Sequence, residues 1–324
     1  MTPGLEHTVP EPGESRLMER LLVTLAITSI SALVLHVVVN PQAFLNFFYL
    51  PVAWAAWRLG LRAGGAAALY TVALIGAAAY LDRRLFAHPG ELEFMRWIDL
   101  VVWAGFLYLT AYAVASLAER DRRRIDELRT AYRGVIEIMA KFIDSIDRST
   151  EDHSRRVAER AVEVARALGM PPEDVETVRV AACLHDIGKV EVSTNVLRKA
   201  AQLTPDEHAE MRRHVDYGTA MLERVGGLLT HVVPVVLYHH ERWDGRGYKG
   251  LAGERIPLGA RVIAVCDTYD AIVADRPYRD GRLHAEAIAI IREQRGSQFD
   301  PAVVDAFLAL YDEESAPARP AAAA

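Results

Sequence analysis

The sequence contains little cysteine. Cys183 and Cys266 are the two cysteines among its 324 residues. They do not form a C-x-x-C pair, so the sequence indicates neither a disulfide framework nor a cysteine-based metal site. We expect both to be free, reduced thiols in the cytoplasm.

An excess of one charge is also missing. With 43 acidic and 37 basic residues the net charge is −6, which gives no reason to expect binding to a nucleic-acid polymer. The sequence also lacks the alternating pattern of half-buried strands and the glycine fingerprint of dinucleotide-binding folds. These absences favour an all-α protein.

Hydrophobic residues, in contrast, are abundant. They make up 51% of the chain, and the mean hydropathy of +0.07 is high for a wholly soluble protein. After a polar N-terminal segment, 1–20, four apolar segments are predicted to cross a membrane as helices, since a hydrocarbon core of ~30 Å needs about 20 residues. The four predicted spans are 21–39, 43–57, 63–81 and 97–118. The second is short and contains Pro51, but together they predict a transmembrane sensor region, 21–118.

Basic residues predict the orientation of the spans. Two arginines separate the second and third segments, and four follow the last: Arg58, Arg62, Arg120, Arg122, Arg123 and Arg124. Arginines in the opposite loop are accompanied by acids and do not reverse the balance. By the positive-inside rule, both termini lie in the cytoplasm and the spans in a bacterial inner membrane. Asp99 and His36 could line a ligand site, although an interfacial position is the alternative for Asp99.

The segment 119–148 is predicted to be a connecting helix that carries a signal from the membrane. Its apolar residues recur at spacings of three and four, which is the a/d pattern of a coiled coil. They are Ile125, Leu128, Tyr132, Val135, Met139, Phe142 and Ile146. A parallel homodimer is one interpretation, and packing of the later residues onto their own domain is the other.

Residues that typically start and end helices recur through 149–313. We expect this segment to form a helical domain, followed by a disordered tail, 314–324. Thr204-Pro205-Asp206-Glu207 combines an N-cap, a proline at the first helical position and a capping-box Glu. It predicts the start of the helix that carries His214. Gly169 and Pro171-Pro172 predict the end of one helix and the start of the next.

Histidines and acids recur in this domain in an order that suits a metal centre. The candidate ligands are His153, His185, Asp186, His214, His239, His240 and Asp267. Imidazole and carboxylate favour iron, manganese or zinc, and a bridging Asp could hold two ions for phosphodiester hydrolysis. Lys189 would share a helical face with His185 if the helix continues past Gly188, and its ammonium could protonate a leaving group. We take His208 and His231, which lie off the pattern, as structural.

The domain resembles the HD-GYP branch of the HD metal-dependent phosphohydrolases over residues 130 to 310. The similarity lies in five strings: ACLHDIGKV (182–190), LTPDEHAEMRRH (203–214), YHHERWDGRGYKG (238–250), IPLGARVIAVCDTYDA (256–271) and RPYR (276–279). Residues 48–65 also resemble the four-helix membrane sensors of bacterial histidine kinases. This resemblance does not identify a ligand.

The resemblance implies a function for the domain. The family hydrolyses cyclic di-GMP to linear pGpG, in some members onward to GMP. The resemblance assigns the seven candidate residues as ligands of two divalent ions, iron or manganese, with zinc, nickel or magnesium as alternatives. Lys189 and Asp186 would be catalytic. Substrate contacts are implied for Arg276, Arg279, Tyr278, Tyr248 and Gly247. Diguanylate cyclases with GGDEF domains are implied as partners of the Gly-Tyr-Pro loop.

Two positions depart from the family pattern. Lys249 replaces the proline of Gly-Tyr-Pro, which removes a fixed φ and predicts a looser loop with altered partners. Ser149 replaces the Glu of three-metal members, so we expect two metals. Two alternatives remain open: a catalytically weak nucleotide-binding module, and a phosphodiesterase for a mixed GMP-AMP cyclic dinucleotide.

Overall fold

The protein is helical in both of its compact units. The computed structural model describes residues 12–36, 45–82, 86, 93–147, 152–197, 199, 202–274 and 281–312. The chain divides into two compact units, Met1–Arg129 and Thr130–Ala324. Among the described residues, the only β structure is one bridge between Arg295 and Phe299. The prediction of an all-α protein is therefore confirmed.

The first unit contains helices that could cross a membrane. Its α-helices are α1 (Pro12–His36), α2 (Tyr49–Leu59), α3 (Leu61–Leu81) and the start of α4 (Glu93–Asp147). Among the described residues, three helices, α1, α3 and α4, are long and apolar enough to span. The second predicted span coincides with a 3-10 turn, Leu45–Phe48, and with α2, whose 11 residues rise only about 16 Å. Four spans are therefore not shown.

Small residues allow close packing in this unit. A Cβ on Gly64 of α3 would lie 2.6 Å from the Cβ of Ala56 on α2, so glycine lets the two backbones approach, as is common between membrane helices. Thr28 of α1 and Tyr70 of α3 are joined by a hydrogen bond of 3.1 Å between their hydroxyls. The side chain of Asp99 is exposed on α4, as an interfacial position would require. The side chain of His36 lies outside the described part of the chain.

The second unit begins within α4 and contains the candidate ligands. Its further α-helices are α5 (His153–Ala167), α6 (Pro172–Leu184), α7 (Thr194–Leu197), α8 (Pro205–Arg212), α9 (His214–Val225), α10 (Val233–Leu237), α11 (Leu258–Val273), α12 (His284–Glu293) and α13 (Pro301–Tyr311). Helices α5, α6, α11 and α13 pack around one hydrophobic core. Leu184, Ile263 and Phe307 are among its fully buried side chains.

Two predicted helix boundaries are confirmed. Gly169 has a φ of +72° between α5 and α6, and Pro172 is the first residue of α6. The Thr204 side chain accepts from the backbone N–H of Glu207, and the Glu207 carboxylate accepts from the N–H of Thr204. This reciprocal pair is the expected capping box.

One helix continuation was predicted wrongly, and the condition set on a second, that the helix continue past Gly188, is not met. Helix α8, which the capping box opens, ends at Arg212, and His214 begins the separate helix α9. Helix α6 ends at Leu184, so Lys189 does not follow His185 on a helical face but lies in the 3-10 turn Ile187–Glu191.

Gly188 explains why this turn can pass so close to α9. A Cβ on Gly188 would lie 1.9 Å from the carbonyl oxygen of His214 and 2.4 Å from the amide nitrogen of Gly218. Because both neighbours are backbone atoms, neither can rotate away. The absence of a side chain therefore brings the turn after His185 against the start of α9.

The apolar stripe at the end of α4 divides between two surroundings. Tyr132 and Met139 pack against the core, beside the buried Ile136, Ala140 and Ile143. Other members of the predicted a/d pattern are exposed on the single chain: Ile125, Leu128, Val135 and Phe142. The later part of the helix therefore packs onto its own domain through one face while a second apolar face stays open.

We predict that Gly188→Ala destabilises the second unit by about 1–3 kcal/mol, because the new methyl group overpacks a backbone contact. Thermal unfolding of the full chain in detergent would measure the loss, with roughly 2–4 °C expected per kcal/mol for a unit of this size. The matched control is Gly134→Ala, because a Cβ at this helical position meets nothing within 4 Å. Equal melting temperatures for the two variants would contradict the proposed contact.

Candidate metal centre

The candidate ligands come together at one place. They reach it from the start of α5, the end of α6, the start of α9, the end of α10 and the middle of α11. Adjacent imidazole rings lie 4.0–5.7 Å apart between centroids. The members are His153, His185, Asp186, His214, His239, His240 and Asp267. The sequence thus predicted a set of side chains that the fold does bring together.

Three of the imidazoles are oriented by the ends of helices. The Nδ1 atoms of His185, His214 and His239 lie 2.8, 2.8 and 2.6 Å from the carbonyl oxygens of Ala182, Met211 and Val236. Each carbonyl lies three residues earlier, in the last turn of α6, α8 or α10. Carbonyls there lack an intrahelical partner, so a histidine just beyond the helix can satisfy one. An Nδ1–H donor leaves the Nε2 lone pair available to a metal.

His153 is oriented by a carboxylate instead. Its Nδ1 lies 2.7 Å from Oδ2 of Asp270, and its Nε2 lies 3.3 Å from Oδ1 of Asp267. Asp270 is fully buried and also accepts hydrogen bonds from the guanidinium groups of Arg156 and Arg160. A carboxylate behind a ligand histidine fixes the ring and increases its basicity.

The pKa values divide the imidazoles into two sets. Burial, followed by the charge of His214, lowers the pKa of His240 to about 4, and burial likewise lowers the pKa values of His239 and His214. These rings are neutral near pH 7 and can donate a lone pair. At His153 burial would lower the pKa, but hydrogen bonds with Asp267 and Asp270 outweigh it and raise the pKa to about 10. This end of the cluster therefore favours a positive charge.

Unsatisfied atoms test whether a metal suits the site. Four buried atoms of the described cluster lack a hydrogen-bond partner: Nε2 of His185, His214 and His239, and Oδ1 of Asp186. Leaving such groups unpaired costs about 1–3 kcal/mol each. Nitrogen and carboxylate donors facing one space suit a divalent transition metal, which would satisfy them. The residues present therefore fit such a metal.

The donors form two overlapping groups. Asp186, His214, His239 and His240 offer ligand atoms within 4.8 Å of one another, and His153, His185 and Asp186 do the same. Asp186 belongs to both. Burial would raise the pKa of its carboxyl group, but His185 and Lys189 lower it well below the usual value. Nζ of Lys189 lies 2.7 Å from Oδ2 of Asp186, so Lys189 reaches the cluster although no helix joins it to His185.

The order of these ligands corresponds to a known family. The sequence profile of the HD domain matches residues 137–303, which is more than half of the 324 residues and includes the whole cluster. The chain belongs to the HD domain family. Within that family it is related to the HD-GYP cyclic di-GMP phosphodiesterases.

Three relatives illustrate the similarity. A cyclic di-GMP phosphodiesterase of Pseudomonas aeruginosa is 45% identical over 163 residues, which are 50% of this chain and 39% of the relative. The cyclic di-GMP phosphodiesterase response regulator RpfG of Xanthomonas campestris is 38% identical over 60% of this chain and 52% of its own. A 3'3'-cGAMP-specific phosphodiesterase of Vibrio cholerae is 30% identical over 72% of this chain and 46% of its own. The chain spans about half the length of these relatives.

The loop that contains Gly247, Tyr248 and Lys249 packs against the imidazoles of His214 and His240. The ring of Tyr248 lies 4.7 Å from that of His240, and the Arg212 guanidinium lies 5.2 Å from the centre of the Tyr248 ring. A Cβ on Gly247 would lie 2.5 Å from the Cα of Glu241. Gly247 thus allows the loop to pack on the segment after the ligand pair, while its predicted substrate contact stays a prediction.

The side chain of Glu241 holds this loop through two hydrogen bonds. Its buried carboxylate accepts hydrogen bonds from the backbone N–H groups of Lys249 (2.5 Å) and Leu251 (2.6 Å). The Lys249 ammonium also pairs with Asp216 of α9 at 2.5 Å. The backbone N–H and the ammonium of Lys249 thus make two contacts that proline cannot make, in line with the predicted change of partners, while the predicted looseness of the loop stays a prediction.

Several positioning residues were missed in the sequence, although spacing could have found some of them. Asp270 and Arg156 lie three residues after Asp267 and His153, which places each pair on one helical face. Glu241 directly follows two ligands. The three predicted substrate contacts of the segment 275–280 lie outside the described residues: Arg276, Tyr278 and Arg279.

We predict that Lys249→Pro increases hydrogen exchange at the Leu251 amide, whereas Lys249→Ala changes it little. Both variants lose the partly exposed ion pair, which is worth at most about 1 kcal/mol. Only proline also removes the N–H that satisfies buried Glu241, at a cost of roughly 1–3 kcal/mol. Exchange measured by mass spectrometry on peptides that contain 241–251 would distinguish them. The same protection in both variants would rule out this anchoring role.

Proposed function

We propose that this protein is a membrane-anchored phosphodiesterase that hydrolyses cyclic di-GMP to linear pGpG. The observation that carries the proposal is the sharing of Asp186 between two groups of metal donors within an HD domain. Two such positions joined by one carboxylate suit a pair of divalent ions, and iron or manganese is the proposed pair. When bound, the ions would activate water and neutralise charge on the phosphodiester.

The protein contributes position and charge to this chemistry. Asp186 holds both positions together, and the helix-end carbonyls fix the direction of the imidazole lone pairs. The cluster is largely buried: the exposed fractions of His185, His214 and His239 are each 1%. In such surroundings electrostatic interactions with a transition state are stronger than in water.

Lys189 is the candidate proton donor. Its ammonium pairs with Asp186, and 16% of its side chain is exposed, so it lies at the edge of the cluster, where a substrate can enter. A cation there can stabilise the charge that develops on phosphate oxygens or protonate the departing oxygen.

Cyclic di-GMP is the proposed substrate because relatives with this activity reach 45% identity, whereas those specific for 3'3'-cGAMP reach 30–34%. The complete ligand set supports hydrolysis over simple nucleotide binding. Arg276 and Arg279 are proposed to hold the phosphates, with Tyr278, Tyr248 and Gly247 shaping the pocket.

The proposed assembly is a homodimer in the inner membrane with both termini in the cytoplasm. The open apolar face of α4, formed by Ile125, Leu128, Val135 and Phe142, supports pairing of two copies. Four spans remain part of the proposal, with α2 and its preceding turn as the second. Diguanylate cyclases are proposed partners of the loop that contains Lys249.

The first experiment is hydrolysis by the full chain in detergent, loaded anaerobically with Fe(II) or Mn(II). Cyclic di-GMP and 3'3'-cGAMP are supplied in parallel, and the products are separated by chromatography. We expect linear pGpG from the first substrate and slower conversion of the second. Faster conversion of 3'3'-cGAMP would make that nucleotide the substrate in place of cyclic di-GMP. Binding of cyclic di-GMP without turnover by a metal-loaded protein would favour the nucleotide-binding module.

Asp186→Ala should abolish hydrolysis and lower the metal content, because one carboxylate serves both groups of donors. Metal content is measured by plasma mass spectrometry after gel filtration. The matched control is Asp305→Ala, since this Asp is exposed and pairs with Arg295 away from the cluster. Full metal content together with full activity in Asp186→Ala would refute the ligand assignment.

Lys189→Met should lower kcat by a factor of about 10²–10⁴ while the metal stays bound, as expected for loss of a general acid. The comparison is Lys199→Met, which removes an ammonium that pairs with Glu207 instead. Steady-state kinetics and metal analysis on the same preparations separate the two effects. An unchanged kcat in Lys189→Met would remove this residue from the chemistry.

A further inference from the structure

The start of helix α5 lacks a cap of its own. Its first residue is the candidate ligand His153, and the residue before it, Asp152, has a φ of 66° and makes no side-chain capping bond. The first N–H groups of a helix have no intrahelical acceptor, so they need one from elsewhere. The N-cap side chain usually supplies it.

Asp144, near the end of α4, supplies this acceptor. Its carboxylate accepts the Ser154 hydroxyl at 2.6 Å and lies 3.2 and 3.4 Å from the Ser154 backbone nitrogen. Asp144 is 6% exposed, and Ser154 is fully buried. A carboxylate at a helix N-terminus is also favoured by the helix dipole. The end of one helix therefore caps the next one.

This contact lies one residue from a metal donor. Ser154 follows His153, whose ring is held by Asp270 and faces Asp267. The ring of His153 is thus fixed by α11, while its backbone is fixed by α4 through Asp144. A hydrogen bond of this kind weakens steeply as its distance and angle change. A small shift of α4 would therefore change how firmly the backbone of His153 is held.

Helix α4 is built into the core of the same unit. Ile136, Ala140 and Ile143 are buried with the residues of α5 and α6. Asp144 directly follows Ile143, so its position depends on how this face packs. The helix is continuous from Glu93 to Asp147 and includes an apolar stretch long enough to span a membrane.

We propose that Asp144 is a positioning residue that couples helix α4 to metal binding at His153, and this inference rests on the proposed two-metal function. When α4 holds Asp144 against Ser154, the donors His153, His185 and Asp186 are arranged for a cation. When α4 shifts, this position loses affinity, while the position formed by His214, His239 and His240 is retained. The helix thereby controls one of the two metal positions.

The test is Mn(II) binding by the full chain in detergent, measured by calorimetry and by metal analysis. Wild type should bind two ions, and His153→Ala identifies which binding step belongs to this position. Asp144→Ala should weaken that step about 10-fold, the low end of the range for residues hydrogen-bonded to a metal ligand, because Asp144 acts through Ser154, and leave the other unchanged. Asp144→Asn, which keeps an acceptor oxygen, should recover part of the affinity.

Ser154→Ala provides a milder variant in case Asp144→Ala does not fold, and the double variant should lose no more than Asp144→Ala because one contact is involved. Glu137→Gln, an exposed carboxylate on the same helix, is the control. Weakening of both steps with a lower melting temperature would show a merely structural role. Two unchanged steps in Asp144→Ala would refute the coupling alone, whereas a wild type that binds no metal would refute the proposed function.

Discussion

The second unit depends on keeping the Asp186 carboxylate ionised in a largely buried place. Burial disfavours a lone charge, so the surrounding elements must supply compensation. Nζ of Lys189 lies 2.7 Å from Oδ2 of Asp186 and supplies a positive charge. Gly188 and Gly218 let the turn that carries Lys189 contact α9 through its backbone. The close packing of this turn and the charge balance of the site are therefore one requirement.

Helix ends provide the second part of this arrangement. Helices α6, α8 and α10 each stop just before a ligand histidine and offer that histidine a carbonyl from their last turn. The C-terminal end of a helix carries a partial negative charge. Three such ends near one cluster favour a cation there and orient the Nε2 lone pairs at the same time. The breaks in the chain after these three helices therefore place each histidine where it can reach a helix-end carbonyl.

The sequence predicted which residues form the cluster better than it predicted the local geometry around them. The ligand order and the capping box at Thr204 depend on residue types close together in the chain, and the structure shows both the cluster and the cap. The breaks after Leu184 and Arg212 depend on contacts that no periodicity contains, such as that of Gly188 with His214. Lys249 shows the same limit, since the loss of proline's fixed φ is a local property, but the buried Glu241 that accepts the Lys249 N–H is brought there by the fold.

Helix α4 shows how a connecting segment can become part of the unit that holds the candidate ligands. The predicted domain started at 149, whereas the compact unit starts at Thr130 and the family match at 137. Because Ile136, Ala140 and Ile143 are buried in the core, moving the end of α4 would disturb apolar packing. Packed interfaces tend to have discrete arrangements and do not deform continuously. A helix that belongs to the core and also connects to the first unit can therefore transmit a shift as a change between two packings. The candidate ligand His153 lies next to Ser154, which contacts Asp144 of this helix.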